Sequence, residues 1–311
     1  MAIALSTVSR QSPLHLLVED YLAHCAARGL SPRTVEKSYG YPLRVVFLGW
    51  CDESSIAGLE ELDGRTIDRF TTSLLQRRPR GHAISKHTVH SYVRPVRQLL
   101  TWAAHVGEEV KAKPQLPRLT KPLRDVLTRD EINVLENAVP FERDKLIIRI
   151  FGDCGLRLNE LTPLTPNDIV RSSHQAHLRV LGKGDRIREV PIPPLVLRRL
   201  ERLISGRPLD RTEDRIFLAL RRSPMGEYDG LTGNGVYQVV KDAVARAGIT
   251  KLVYPHLLRH SWMTEMLRQG MNPLQLSLIA GTSVPVIMEH YTHLTREDAY
   301  TSMIGALNVK R

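Results

Sequence analysis

Cysteine, acidic residues and long apolar runs are all scarce in this sequence of 311 residues. The three cysteines, Cys25, Cys51 and Cys154, are odd in number and far apart, without the paired spacing of zinc ligands or of a disulfide framework. We expect three reduced thiols. No apolar run approaches the roughly 20 residues of a membrane span, and the N-terminal residues do not form a secretory signal. The sequence therefore predicts a cytoplasmic protein without a membrane segment.

The shortage of acidic residues leaves the chain strongly basic. Its 33 Asp and Glu residues are outnumbered by 44 Lys and Arg, which gives a formal charge of +11. Such a surplus favours a polyanionic partner, although charge alone does not choose between DNA, RNA and a membrane surface. Residues 1–124 hold 18 Lys and Arg against 11 Asp and Glu, and the remainder holds 26 against 22. Both parts of the chain could therefore face the same polyanion.

Apolar spacing divides the chain into two parts. The chain is longer than one ordinary domain, and 42% of its residues are hydrophobic, which is enough to build two cores. Helical spacing recurs between residues 12 and 107 and predicts an all-helical first domain. Residues 108–124 show no periodicity and are rich in lysine and proline, as is typical of an extended basic linker. A second domain is predicted over residues 125–311.

The second domain is predicted to be helical with a small antiparallel sheet. Thr128 and Glu131 match a capping box, and helical spacing then runs to about Gly155. Between residues 168 and 192 the pattern changes to short β-rich pieces. Helical spacing returns from Pro193 onward, interrupted by breaks at 205–208, 223–235, 270 and 281.

Two motifs in the middle of the chain carry candidate functional residues. In GLRLNEL, Arg157 follows a glycine and Glu160 lies three residues later, so the two side chains could share one helical face. For this motif alone, an ordinary surface ion pair is the favoured interpretation. In GKGDR, Lys183 occupies the predicted hairpin turn. Most turn lysines are simply solvated, but the neighbouring glycines would allow a close approach to a phosphate.

Two further motifs lie nearer the C-terminus. In HLLRH, a preceding proline marks a helix start, so His256 and Arg259 project from its first turn, where anions are favoured. This motif alone fits two interpretations equally well: a phosphate clamp, or a capped helix that carries two surface cations. Tyr291 follows ten residues after Gly281. A lone tyrosine is usually a packing residue, but the ordered set of Arg, Lys, His-x-x-Arg and Tyr favours chemistry on a phosphate.

Taken in order, GLRLNEL, GKGDRIREVPI, HLLRHSWMTEMLRQG and EHYTHL resemble the motifs of the tyrosine recombinase family, which includes phage integrases and Xer-type recombinases. The resemblance covers nearly the whole chain. It implies a mainly α fold, with an all-helical, SAM-like core-binding domain over residues 12–107 and an α+β catalytic domain over 125–311. In the family these domains form a C-shaped clamp on double-stranded DNA, and a homotetramer assembles on paired sites.

The resemblance also implies a mechanism of DNA strand breakage and rejoining. Tyr291 would attack the phosphodiester and leave a 3′-phosphotyrosyl link. Arg157 and Arg259 would make fork-like contacts to the phosphate, because guanidinium matches phosphate oxygens. Lys183 is the expected general acid for the departing 5′-oxygen. His256 would either contact the phosphate or accept the tyrosine proton.

Thr282 departs from the family pattern, which has histidine or tryptophan directly after the glycine. A threonine hydroxyl can donate one hydrogen bond to a phosphate but carries no charge, so we expect an active but slower enzyme. The alternative is that Thr282 caps a helix starting near Ser283. Glu160 is expected to orient Arg157 or the neighbouring backbone.

The remaining expectations concern DNA contacts, cofactors and rival functions. DNA contacts of the first domain are expected from Arg77, Arg78, Arg80, Lys86, Arg94 and Arg97. The sequence has neither a Walker-type loop nor a carboxylate cluster for two metals, so no metal or other cofactor is expected. Two alternatives stay open: a type IB topoisomerase, and a catalytically weakened DNA-binding relative, which only Thr282 favours.

Overall fold

The computed structural model describes residues 12–119, 125–172, 175–182, 186–208, 213–289, 300 and 303–305. The chain divides into two compact units, Met1–Lys121 and Pro122–Arg311. Each unit has its own hydrophobic core. The three cysteines are buried free thiols. Within the described ranges, no helix is both long enough and apolar enough to cross a membrane.

The first unit is built from helices. They are α1 (Pro13–Ala27), α2 (Pro32–Thr34), a π-helix (Val35–Leu48), α3 (Gly49–Glu53), α4 (Gly64–Gln76) and α5 (Lys86–His105), with 3₁₀ turns at Leu59–Glu61 and Pro79–Gly81. Ser12, Asp63 and Ser85 cap α1, α4 and α5, because each side chain accepts the backbone N–H three residues later. The apolar spacing predicts these three helices. It does not predict the wider winding of Val35–Leu48, which contains Pro42.

The second unit combines helices with one small sheet. Its elements are α6 (Arg129–Ala138), α7 (Glu142–Arg149), a π-turn (Ile150–Cys154), α8 (Leu158–Leu161), a 3₁₀ turn (Pro166–Asp168), β1 (Ile169–Arg171), β2 (Ala176–Leu181), β3 (Ile187–Pro191), α9 (Pro194–Ser205), α10 (Gly233–Ala247), α11 (Pro255–Arg268), α12 (Pro273–Ala280) and α13 (Val284–Met288). The strands are antiparallel in the order β1-β2-β3, and Leu178 of β2 pairs with Ile169 and Val190. The predicted mainly α fold and its sheet are confirmed, as is the capping box at Thr128.

One expected helix is absent from the described residues. Helical spacing between the breaks at 208 and 223 predicts a helix, but residues 213–222 are irregular. Ile216, Phe217 and Leu218 are all buried in succession, which a helix packed on one side cannot achieve. Their backbone bonds instead to other segments: Ile216 N–H donates to the Leu164 carbonyl at 2.7 Å, and Leu231 N–H donates to the Phe217 carbonyl at 2.8 Å.

Two glycines with left-handed backbone end helical segments beside the predicted site. Gly155 follows the π-turn with a φ of +61°, and Gly281 follows α12 with a φ of +60°. This conformation disfavours any residue with a side chain. A Cβ atom added at Gly155 would also lie 2.0 Å from the Trp262 ring. Both turns are therefore restricted to glycine.

Candidate active site

Three arginines of the second unit meet at the C-terminal end of α12. Arg157 directly precedes α8, Arg188 lies on β3, and Arg259 lies on α11. The last three carbonyl groups of this end each accept from a different guanidinium: Ile279 from Arg188, Ala280 from Arg259 and Gly281 from Arg157. The carbonyl end of a helix carries partial negative charge and lacks internal donors, so it suits cations.

Glu160 joins two of these arginines. Arg188 donates from its two Nη atoms to the two carboxylate oxygens, at 2.7 and 2.8 Å. Arg157 donates to the same carboxylate from Nη1 and from its backbone N–H, each at 2.8 Å. Burial raises the pKa of Glu160, which is only 4% exposed, but the hydrogen bonds from Arg188 and Arg157 outweigh it and hold the pKa at about 2. Glu160 is therefore ionised at neutral pH.

Arg157 does not lie on the helix that carries Glu160, contrary to the predicted shared face. Its backbone is extended, with φ −81° and ψ 154°, and it is the residue just before α8. Glu160 occupies the third helical position and accepts the Arg157 N–H, as the glutamate of a capping box does. The interpretation as a surface ion pair is wrong, because the carboxylate is buried.

Arg259 is a deeply buried cation, 2% exposed. Its Nη1 donates to the Gly155 carbonyl and its Nη2 to that of Ala280. Burial and the nearby Arg157 lower the pKa of Arg259 to about 9, while Glu160 acts in the opposite direction. The charge of this guanidinium is thus incompletely compensated, which favours an anionic ligand beside it.

The site carries excess positive charge and unused donors. Within the described part of the chain, the Glu160 carboxylate pairs with Arg157 and Arg188, and Arg259 lies near enough to feel its charge without bonding to it. A guanidinium has five N–H donors, and the side chains of Arg157 and Arg259 use two each in the hydrogen bonds described above. Arg157 is 31% exposed at its side chain and so can be reached from solvent. The arrangement can hold a phosphate.

His256 lies at the second position of α11, which begins at Pro255 as predicted. It is exposed, whereas Arg259 one turn later is buried. The alternative of two surface cations on a capped helix is therefore wrong. The structure places Arg259 with Arg157 and Glu160, as the motifs predict, and leaves His256 accessible at the start of the same helix.

Thr282 follows the turn at Gly281 and is half-buried. Its backbone N–H donates to the Ser277 carbonyl at 3.1 Å, which closes the end of α12. Helix α13 begins at Val284 with Ser283 in the capping position, so Thr282 is not the cap of that helix. Among the described residues, none receives or donates a hydrogen bond at the Thr282 hydroxyl.

Several expected functional residues stay predictions. Tyr291 and Lys183 lie outside the described residues, as does the side chain of Arg80. In the first unit, the side chains expected to contact DNA are exposed or half-buried: Arg77, Arg78, Lys86 and Arg94 are exposed and Arg97 is half-buried. In the described ranges, no group of three His, Cys, Asp or Glu side chains is placed to hold a metal ion.

Arg188 is the site residue that the motifs missed. It lies in GKGDRIREVPI, five residues after the lysine of the predicted turn. A signal was present in the strand itself, because Arg188 and the buried Val190 are two residues apart and share one face of β3. An arginine on a buried face requires a partner of opposite charge.

The chain is similar to known recombinases over most of its length. The sequence model of the phage integrase family matches residues 125–298. The tyrosine recombinase XerA of Thermococcus onnurineus is 29% identical over 283 residues, which cover 90% of this chain and 92% of that protein. This similarity extends through both compact units.

Solved structures share the fold. A structure of XerH recombinase bound to its palindromic difH substrate, in a post-cleavage complex, gives a TM-score of 0.70 at 18% identity, covering 92% of this chain and 83% of that one. The Tn1549 transposon integrase in complex with a circular intermediate DNA gives a TM-score of 0.70 at 16% identity, and the match covers 93% of this chain and 99% of that one.

Proposed function

This chain belongs to the phage integrase family, and from that premise we propose that it is a site-specific tyrosine recombinase, which cuts and rejoins DNA through a 3′-phosphotyrosyl intermediate. One observation carries the proposal: the cluster of Arg157, Arg188 and Arg259 around the buried carboxylate of Glu160. Excess positive charge with unused N–H donors suits a phosphodiester. XerH and the Tn1549 integrase, which share the fold, are seen bound to DNA.

Arg157 and Arg259 would hold the non-bridging oxygens of the scissile phosphate. The transition state carries more negative charge on these oxygens than the ground state, so fixed guanidiniums stabilise it preferentially. The position of Arg259 on the first turns of α11 adds the favourable field of a helix N-terminus. His256, at the second position of that helix, would contact the phosphate or accept the tyrosine proton.

The cleavage step uses Tyr291 and Lys183. The tyrosine oxygen attacks phosphorus, forming a bond to the 3′-phosphate, while the bond from phosphorus to the 5′-oxygen breaks. The tyrosine proton leaves to His256 or to water, and Lys183 donates a proton to the departing 5′-oxygen. Attack by the 5′-hydroxyl of a second strand reverses these steps. Because the phosphotyrosyl link conserves the bond energy, rejoining requires no cofactor.

Double-stranded DNA is the proposed substrate of both units. The exposed basic side chains of the first unit, among them Arg77 and Arg94, would contact the phosphate backbone. By resemblance to the family, four copies would assemble on two paired sites. Sedimentation of the protein with and without its DNA site tests this assembly. We expect a complex of four chains only when DNA is present.

Nicked duplexes with randomised half-sites test the proposed reaction. The nick lets the leaving strand escape as a short oligonucleotide, so the cleaved complex accumulates. We expect an adduct resistant to denaturation from the wild type and from the control Tyr300→Phe, whose side chain is 63% exposed, but none from Tyr291→Phe. Sequencing the trapped DNA yields the site. Absence of a wild-type adduct, or an equal adduct from Tyr291→Phe, contradicts the proposal.

A second experiment separates a recombinase from a type IB topoisomerase. Two duplexes of different length that carry the selected site are incubated together with the protein. A recombinase exchanges their arms and yields two products of new length. Relaxation of a supercoiled plasmid that lacks the site, without any exchanged products, would favour the topoisomerase.

A further inference from the structure

Arg188 reaches three separate segments of the second unit from the inner face of β3. Its side chain is 12% exposed, and its Cα partner on β2 is the buried Val180. Nε donates to the Ile279 carbonyl at 2.7 Å, and the two Nη atoms bind the two oxygens of Glu160. One guanidinium thus ties β3 to α8 and to the end of α12.

Both partners of the Arg157 side chain are in turn held by Arg188. Arg157 donates to the Glu160 carboxylate and to the Gly281 carbonyl. The two-point contact from Arg188 fixes the rotation of that carboxylate. A Cβ atom added at Gly281 would lie 2.9 Å from Cδ and Nε of Arg188, so the Gly281 backbone packs directly on this side chain.

We infer that Arg188 is a positioning residue for strand cleavage, which aims Arg157 at the scissile phosphate through Glu160 and Gly281. The inference rests on the proposed function. Arg157 is a long, partly exposed side chain, and without fixed partners it would sample many rotamers. A catalytic group displaced by about 1 Å can lose about 10²-fold in rate. Loss of Arg188 would also leave buried Glu160 with a single guanidinium partner.

Three variants test the role of Arg188. Arg188→Met keeps the unbranched stem and removes the charge, and Arg188→Lys keeps the charge without the two-point contact. Arg171→Met is the matched control, because Arg171 is a strand arginine that pairs with Glu201 at 2.7 Å outside the site. Single-turnover cleavage at saturating nicked DNA should fall about 10²-fold in Arg188→Met and less in Arg188→Lys. DNA affinity should stay unchanged, and the control should cleave as the wild type does.

The Arg157→Ala background shows whether Arg188 acts through Arg157. In that background, Arg188→Met should cause no further loss of cleavage rate, because the group that it positions is already gone. A further loss as large as in the wild-type background would overturn the inference. Wild-type cleavage by Arg188→Met alone would overturn it as well.

The mobility of the Arg157 side chain gives a readout that does not depend on catalysis. The ¹⁵N order parameter of the Arg157 Nε–H group, measured without DNA, should fall in Arg188→Met and stay unchanged in Arg171→Met. Thermal unfolding confirms that each variant is folded. If the wild type forms no DNA adduct, the proposed function fails, whereas an unchanged order parameter in a folded Arg188→Met overturns the positioning role.

Discussion

Arg157 and Arg188 share the carboxylate of Glu160, whose charge depends on pH. Its pKa is about 2 in the folded chain and about 4.3 when unfolded. A depressed carboxylate pKa stabilises the fold above the unfolded value, and this contribution is lost as pH falls toward the folded value. The difference corresponds to about 3 kcal/mol at pH 7.

Glu160→Gln should therefore lower the free energy of unfolding by about 3 kcal/mol at pH 7. The difference in unfolding free energy between the variant and the wild type should shrink below about pH 4.3. Urea unfolding of both proteins at several pH values measures it. Other carboxylates with lowered pKa, such as Glu131, titrate in both proteins and cancel in the difference. A difference in unfolding free energy that stays constant from pH 7 to pH 3 would contradict the conclusion that Glu160 is ionised in the folded chain.

Thr282 follows the turn at Gly281 that holds Arg157, and its hydroxyl makes no hydrogen bond to the described residues. If the hydroxyl donates to the phosphate, Thr282→Val should lower the single-turnover cleavage rate. The loss of transition-state stabilisation should be smaller than the roughly 2.7 to 4 kcal/mol that a full oxyanion donor contributes. Thr282→His should preserve or raise the rate. DNA affinity should not change. Equal rates for threonine and valine would remove Thr282 from the catalytic set.

The C-terminal end of α12 contacts all three arginines, and Gly281 accepts from Arg157 while packing on Arg188. Gly281→Ala should slow cleavage, because the new Cβ atom would collide with Arg188 and shift the carbonyl that holds Arg157. Left-handed backbone alone costs an alanine about 1–2 kcal/mol. Gly248→Ala is the matched control, since Gly248 has a φ of +66° and open space around its Cβ position.

Both glycine variants should lose stability in thermal unfolding, Gly281→Ala by more because of its collision with Arg188, but only Gly281→Ala should lose cleavage rate. Comparing single-turnover cleavage of the two at equal folded fraction separates strain in the turn from displacement of the arginines. Equal cleavage by both variants would show that the Gly281 turn does not position the site.

The helices and strands that the sequence predicts are those with strong local signals. The serine caps of α1 and α5 and the alternation in β2 are set by neighbours in the sequence. The winding of Val35–Leu48 and the irregular course of residues 213–222 depend on contacts with distant backbone or on packing. Periodicity does not contain that information, since it reports only which side is buried.

The site residues also divide into those that local motifs predict and those that they do not. The ordered motifs predict Arg157, Glu160 and Arg259, and the structure brings them together. The motifs do not predict the extended backbone of Arg157 or the contacts of Arg188. Both depend on the meeting of β3, α8 and α12, which are separated in sequence by 28 residues from Glu160 to Arg188 and by 91 from Arg188 to Ile279.

Both units carry a surplus of positive charge, which predicts that binding to DNA weakens as the salt concentration rises. Arg94→Ala should weaken DNA binding and reduce the slope of log affinity against log salt concentration by about 0.9, the value for one phosphate contact. Arg94 is exposed on α5. Arg44→Ala is the matched control in the same unit, because Arg44 already pairs with Glu19 and Glu36. An unchanged slope in Arg94→Ala would remove that residue from the DNA contacts.

Peptide mapping of the trapped adduct shows whether a tyrosine of this chain becomes joined to a 3′-phosphate of DNA. Trypsin cleaves after Arg268 and Arg296, which yields a peptide of residues 269–296 with Tyr291 as its one tyrosine. After nuclease digestion, fragmentation of this peptide in the mass spectrometer should place a 3′-linked nucleotide on Tyr291. A nucleotide on any other residue, or linkage through a 5′-phosphate, would contradict the account.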